Sequence, residues 1–96
     1  MLLHVVCWKY KPEVTEAQRE HHRTRAKALA QLVPDVVRLD VGANTLHLDR
    51  SFDTALVAEF DSRNALDAYG EHPDHQAVVA IGREIAEKTV SVDFWA

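Results

Sequence analysis

The chain has 96 residues, a formal charge of −4, about half apolar residues, a quarter charged, and one cysteine. That length holds one domain with one modest core, for which a second copy is a natural source of further burial. An acidic balance argues against nucleic acid as the partner, and no run approaches the roughly 18–20 apolar residues of a membrane span. A lone Cys7 makes no internal disulfide, and the first residues lack the basic and apolar regions of a secretion signal, so the cytoplasm is the expected compartment.

Residues 2–10 are rich in β-branched and aromatic side chains and stop at Lys11-Pro12, which predicts a strand. Leu2, His4, Val6, Trp8 and Tyr10 fall on one face and Leu3, Val5 and Cys7 on the other. Both faces are largely apolar, so the strand is expected to be covered on both sides. Thr15-Glu16-Ala17-Gln18 has the form of a capping box and opens a helix to about Val33, stopped by Pro34-Asp35. The helix carries Arg19, Arg23, Arg25 and Lys27, and residues 1–32 hold six Lys/Arg against three Asp/Glu; a solvated basic face is the plain reading and an anion-facing patch the sharper one.

A second strand is predicted over 36–43, a long connection over 42–53, and a third strand over 54–60. Asp61-Ser62 caps a short helix at 63–70. The chain breaks at His72-Pro73, and a new helix over 74–87 opens on Asp74, with a buried stripe of Val78, Val79, Gly82, Ile85 and Ala86. A last strand over 88–95 alternates Val90, Val92 and Phe94. The order β-α-β-β-α-α-β is that of a ferredoxin-like α+β fold, an antiparallel sheet with helices on one face. The bare face, with Leu3, Val5 and Cys7, then needs a cover, and the sheet of a second copy related by two-fold symmetry is the simplest.

Several stretches resemble the stress-responsive dimeric α/β-barrel (Dabb) family across essentially the whole chain. They are His4-Val5-Val6-Cys7-Trp8-Lys9-Tyr10-Lys11-Pro12-Glu13, Ala55-Leu56-Val57-Ala58-Glu59-Phe60-Asp61-Ser62, Ala68-Tyr69 with His72-Pro73-Asp74-His75, and Val90-Ser91-Val92-Asp93-Phe94. The resemblance implies a homodimer joined through its sheets into an α/β barrel, with helices outside. It supplies no reaction by itself. Some relatives are cofactor-independent polyketide cyclases, in which a first-strand histidine, the tyrosine and the second histidine of this motif line a helix–sheet cavity. The matching positions here are His4, Tyr69 and His75. Val6, Trp8, Leu56 and Ala58 on strands, with His22 on the first helix and His72 at the break between the later two, are expected in the ligand-binding wall.

His75 is then the expected general base, its imidazole kept neutral by burial. Tyr69 would hold that ring or polarise a substrate carbonyl, and His4 would face the same space. Proton removal α to a carbonyl would give an enolate that attacks a second carbonyl. The competing reading is a non-enzymatic binding or structural protein, in which Tyr69 and His75 hydrogen-bond each other and Pro73 starts a helix. Where the cyclase-like relatives present aromatic residues on the first helix, this chain has His21, His22, Arg23 and Ala26, which suits a small polar or anionic ligand better than an alkyl tail.

No metal is expected despite six histidines: adjacent helical positions such as His21 and His22 point about 100° apart, and no metal-binding motif occurs. Related dimeric barrels bind haem, but nothing in this sequence marks an axial ligand, and no cofactor is expected. Trp8 faces the helices and is read as filling core or cavity wall, and Trp95 as packing at the barrel rim or against the partner.

Overall fold

Alternation along the central strands sets the layers, and a computed structural model describes residues 1–96. The elements are β1 (Leu2–Tyr10), α1 (Glu16–Leu32), β2 (Arg38–Ala43), β3 (Thr54–Phe60), α2 (Arg63–Glu71), α3 (Pro73–Ile85) and β4 (Ala86–Trp95). The four strands form one antiparallel sheet in the order β2-β3-β1-β4, and all three helices cover one side. The ferredoxin-like reading of the sequence is therefore the observed fold. No helix is long and apolar enough to cross a membrane.

β3 shows why one side is chosen. Thr54, Leu56, Ala58 and Phe60 are buried beneath the helices, while Val57 between them is 37 % exposed. The main core gathers Phe60, Leu56 and Ala58 from β3, Ala26, Leu29 and Val33 from the α1 face, Val41, Tyr69 and Val78. A smaller cluster of Tyr10, Val14 and Ile85 closes the end where β1 leaves the sheet.

α1 starts as its sequence dictates. The Thr15 side chain accepts from the Gln18 backbone N–H at 3.2 Å, and Gln18 accepts in return from the Thr15 N–H at 2.8 Å. Two boundaries differ from the periodicity. β2 begins at Arg38 rather than at residue 36, because Val36 N–H bonds back to the Val33 carbonyl in the turn after α1. α3 ends at Ile85, and Ala86 is extended: its N–H caps the Gly82 carbonyl while the Lys11 N–H takes the Ile85 carbonyl. Sheet pairing opposite Tyr10, at a bulge in the β1–β4 ladder, thus overrides the helical pattern, and Ala86 leaves the expected helix stripe. The connection over 44–53 is tied down by Asp53, whose N–H bonds Trp8 O and whose carboxylate accepts from Tyr10 N, both at 2.8 Å.

Candidate functional site

The α2–α3 junction builds the site. His72 ends α2 and caps α3, its Nδ1 accepting from the Asp74 N–H at 3.1 Å, and Pro73 occupies the first turn, where no N–H is needed. This sharp break folds α3 back so that His75 returns over the last turn of α2. The His75 Nδ1 lies 3.1 Å from the Gly70 carbonyl. A carbonyl only accepts, so Nδ1 carries the proton and Nε2 keeps its lone pair. Burial, with the neighbouring His4 and His72 adding to it, holds the His75 pKa below its ordinary value against the opposing Gly70 bond. The ring is therefore neutral at pH 7.

Tyr69 lies beside it, with ring centroids 4.3 Å apart and planes tilted by 45°. The expected hydrogen bond between them is absent: the two rings pack, and the imidazole is held by backbone instead. Phe60 backs Tyr69 at 5.1 Å, and burial pushes the phenol up to about 12. The phenol is therefore neutral at pH 7 and makes no side-chain hydrogen bond within the protein.

His4 completes the cluster, 6.1 Å from the Tyr69 ring. It sits directly opposite Asp93 in the β1–β4 ladder, and its Nδ1 meets the Asp93 carboxylate at 2.5 Å. A carboxylate accepts, so this bond also leaves Nε2 as the available nitrogen, in the manner of an Asp–His pair that fixes tautomer and ring orientation. Asp93 was not singled out from the sequence. Only the long-range register between β1 and β4 brings it to His4, although Leu3-His4-Val5 and Val92-Asp93-Phe94 share an apolar–polar–apolar form.

Two cavities meet at these three residues. One, of about 310 Å³, lies between α3 and the sheet and is walled by Val6, Trp8, Leu56, Leu29, Val78 and Val79, with Arg83, Thr89 and Ser91 at its margin. The other, of about 710 Å³, is shallower and more polar, bordered by Arg63, Asp67, Glu71, Asp93 and Trp95. His4, Tyr69 and His75 belong to both. Trp95 is 63 % exposed at the rim.

Of the expected wall residues, Val6, Trp8 and Leu56 line the inner cavity, whereas His22, Ala58 and His72 line neither. Ala58 is sealed in the core beneath the helices, and His72 is spent as a helix cap. His22 is fully buried: its Nδ1 lies 2.7 Å from the Tyr10 hydroxyl, which donates to Thr54 at 2.9 Å, and its ring meets Trp8 edge-on at 4.8 Å. Arg23 is likewise held, by Thr54, Glu16 and Glu20. Neither supplies a charge to the cavity. The signal was available, because His22 shares the stripe 22, 26, 29, 33 with Ala26, Leu29 and Val33. The α1 contribution to the cavity is the apolar Leu29, and the one cation on its wall is Arg83, at i+8 from His75 along α3. No three side chains of His, Cys, Asp or Glu converge where a metal would bind.

Comparison with known proteins agrees with this architecture. A ferredoxin-like dimeric protein of unknown function from Thermobifida fusca is 28 % identical and superposes with a TM-score of 0.90, covering 99 % of this chain and 90 % of that one. A dimeric protein of the same fold from Bacteroides fragilis is 25 % identical, with a TM-score of 0.84 and coverage of 99 % and 95 %. The hydroxynitrile lyase of Passiflora edulis shares the fold at 18 % identity, TM-score 0.86, and coverage of 97 % and 90 %. No curated protein matches the sequence. The family model for the stress responsive A/B barrel domain matches residues 2–96, and the chain belongs to that family.

Proposed function

We propose that the protein works as a homodimer that binds a small molecule in the helix–sheet cavity and performs cofactor-independent acid/base chemistry at a carbonyl compound. The observation that carries the reading is the state of two groups at the cavity junction, the half-buried His75 and the buried Tyr69. His75 presents an unprotonated Nε2, fixed by the Gly70 bond, beside a phenol that stays protonated and unpartnered. A neutral imidazole takes a proton, and a neutral phenol donates a hydrogen bond to the oxygen that gains charge as the proton leaves. The His75 imidazolium so formed returns the proton, and His4, oriented by Asp93, offers its Nε2 as a second acceptor at the same cavity. Lyase and cyclase steps both begin with this pair of events. The fold that the chain shares with the Passiflora edulis lyase is compatible with such chemistry and does not identify a substrate.

The dimer is supported by β4, whose polarity runs opposite to that of an ordinary edge strand. Thr89, Ser91 and Asp93 pair with Trp8, Val6 and His4 on the helix side, while Val90, Val92 and Phe94 pair with Cys7, Val5 and Leu3 on the bare side. Val92 is 63 % and Phe94 45 % exposed. A contiguous apolar face of this kind marks an interface, and polar residues turned towards the helices suit a ligand cavity. The relatives from Thermobifida fusca and Bacteroides fragilis are dimeric.

Hydrogen–deuterium exchange at activated carbon tests the chemistry before a substrate is known. Small 1,3-dicarbonyl compounds in D₂O are followed by NMR, and the protein is expected to accelerate loss of the α-proton signal. His75→Asn, which keeps a group able to donate to Gly70, should lose roughly a hundredfold or more of that acceleration while retaining its circular dichroism. Undiminished exchange in the variant would remove His75 as base. No acceleration with any compound would favour the non-enzymatic binding protein, in which the same residues only hold the α2–α3 junction.

A further inference from the structure

We infer that the end of the inner cavity remote from the His–Tyr cluster is a carboxylate subsite, made by Arg83 with the hydroxyls of Thr89 and Ser91, and that the cavity takes an elongated amphiphilic monocarboxylic acid. The inference deepens the proposed function, since it assumes that this cavity is the binding site.

Among the lysines and arginines, Arg83 alone lines the inner cavity. Arg19, Arg23 and Arg63 are each paired with a carboxylate, whereas Arg83 borders the cavity and forms no ion pair or side-chain hydrogen bond. Two hydroxyls share that margin. Thr89 and Ser91 lie on the helix-facing side of β4, opposite Trp8 and Val6, and neither is engaged by another side chain. A guanidinium fork with adjacent hydroxyl donors is the chemistry that recognises a carboxylate.

Two rulers fix the length. From His4 to Trp8 is four residues of strand, about 13 Å; from His75 to Arg83 is eight residues of helix, about 12 Å. Between the ends the wall is Val6, Leu56, Val78 and Val79, which favours an apolar body. The volume of about 310 Å³ lies at the small end of the roughly 300–1,000 Å³ typical of ligand sites. Charge fixes the direction. The His4 end carries Asp93, Asp67 and Glu71, and its Arg63 is already paired with Asp67 at 3.0 Å. A carboxylate is repelled there and attracted at Arg83, leaving the distal end of the ligand against Tyr69 and His75.

A basic residue in the last turn of a helix also complements the helix dipole, and a chemically matched pair of probes separates that role from ligand recognition. Octanoate and 1-octanol are titrated into the intact protein by ¹H–¹⁵N NMR below their aggregation limits. Octanoate is expected to bind about tenfold more tightly than octanol. Arg83→Gln should abolish that difference without changing octanol affinity, Arg83→Lys should keep part of it, and nuclear Overhauser contacts should join the ligand methyl end to the Tyr69 ring and the carboxyl end to Trp8. If both probes bind with equal affinity, or Arg83→Gln affects them alike, or the ligand lies the other way round, the carboxylate subsite is overturned while the cavity reading stands. If neither probe binds, both are overturned.

Discussion

His22 and His75 are both imidazoles whose pKa burial lowers, and their surroundings give them opposite uses. His75 has a free Nε2 on a cavity. His22 has an Nε2 sealed in the core without a partner, and its pKa falls to about 4. Protonating His22 therefore opposes folding. Its folded pKa lies below the unfolded value of about 6.5, so the unfolded state binds the extra proton first; the native state keeps its full stability above pH 6.5 and loses it as pH falls towards 4. The shift corresponds to roughly 3 kcal/mol between pH 7 and pH 4. His22→Asn, which still donates to Tyr10 and cannot titrate, is expected to be less stable at pH 7 and to lose much less stability on acidification. Urea melts of both proteins at pH 7.5 and 4.5 measure the difference, and parallel losses would contradict it. For His75 the same direction of shift places the acidic limb of any exchange-rate profile below pH 6.5.

α3 does three jobs with neighbouring rows of one helix. Val78, Gly82 and Ile85 are buried, His75, Val79 and Arg83 face the cavity, and Gly82 lets the helix approach β1 and α1. A Cβ at Gly82 would stand 3.2 Å from Trp8 Nε1 and 3.3 Å from His22 Nε2. Both atoms belong to rings fixed by packing, so neither yields readily. Gly82→Ala gains about 1 kcal/mol of helix propensity and incurs an overpacking cost of roughly 1–3 kcal/mol, so a net loss of about 1 kcal/mol is expected in denaturant melts, with a changed Trp8 fluorescence. A stabilised variant would show that the rings move aside. The sequence made the element order and the capping of α1 legible because each depends on neighbours within a few residues, whereas His4, Tyr69 and His75 were named together only through the family resemblance. Asp93 beside His4 depends on a ladder between residues 89 apart, and the sealing of His22 on Trp8 packing beneath α1, neither of which a local pattern contains. Arg83 was legible in principle, at i+8 from His75 through Val79, but a lone arginine acquires meaning only once a cavity lies beside it.

At the scale of the molecule, the shortest extent is 17 Å, the depth of one sheet and one layer of helices, and only 17 of 96 residues are buried. Such a thin layer leaves Leu3, Val5, Val57, Val90, Val92 and Phe94 on a bare sheet face, where, in the proposed dimer, the area buried by a second copy would offset the small core. In the proposed dimer association and folding are linked, so the thermal midpoint should rise with protein concentration. Val92 is the place to break the link: it lies opposite Val5 at the centre of the β1–β4 ladder, is 63 % exposed in one protomer, and lines neither cavity of the site. Val92→Asp would put an unpaired carboxylate from each subunit into the joined faces. The expected result is dissociation weaker in affinity by about a hundredfold or more, seen as a monomer in sedimentation velocity at concentrations where the native protein is a dimer. The variant should also lose the concentration dependence of its melting point. A native protein that sediments as a monomer with an invariant midpoint would mean that the apolar face serves a different partner, and that the cavity belongs to a single chain.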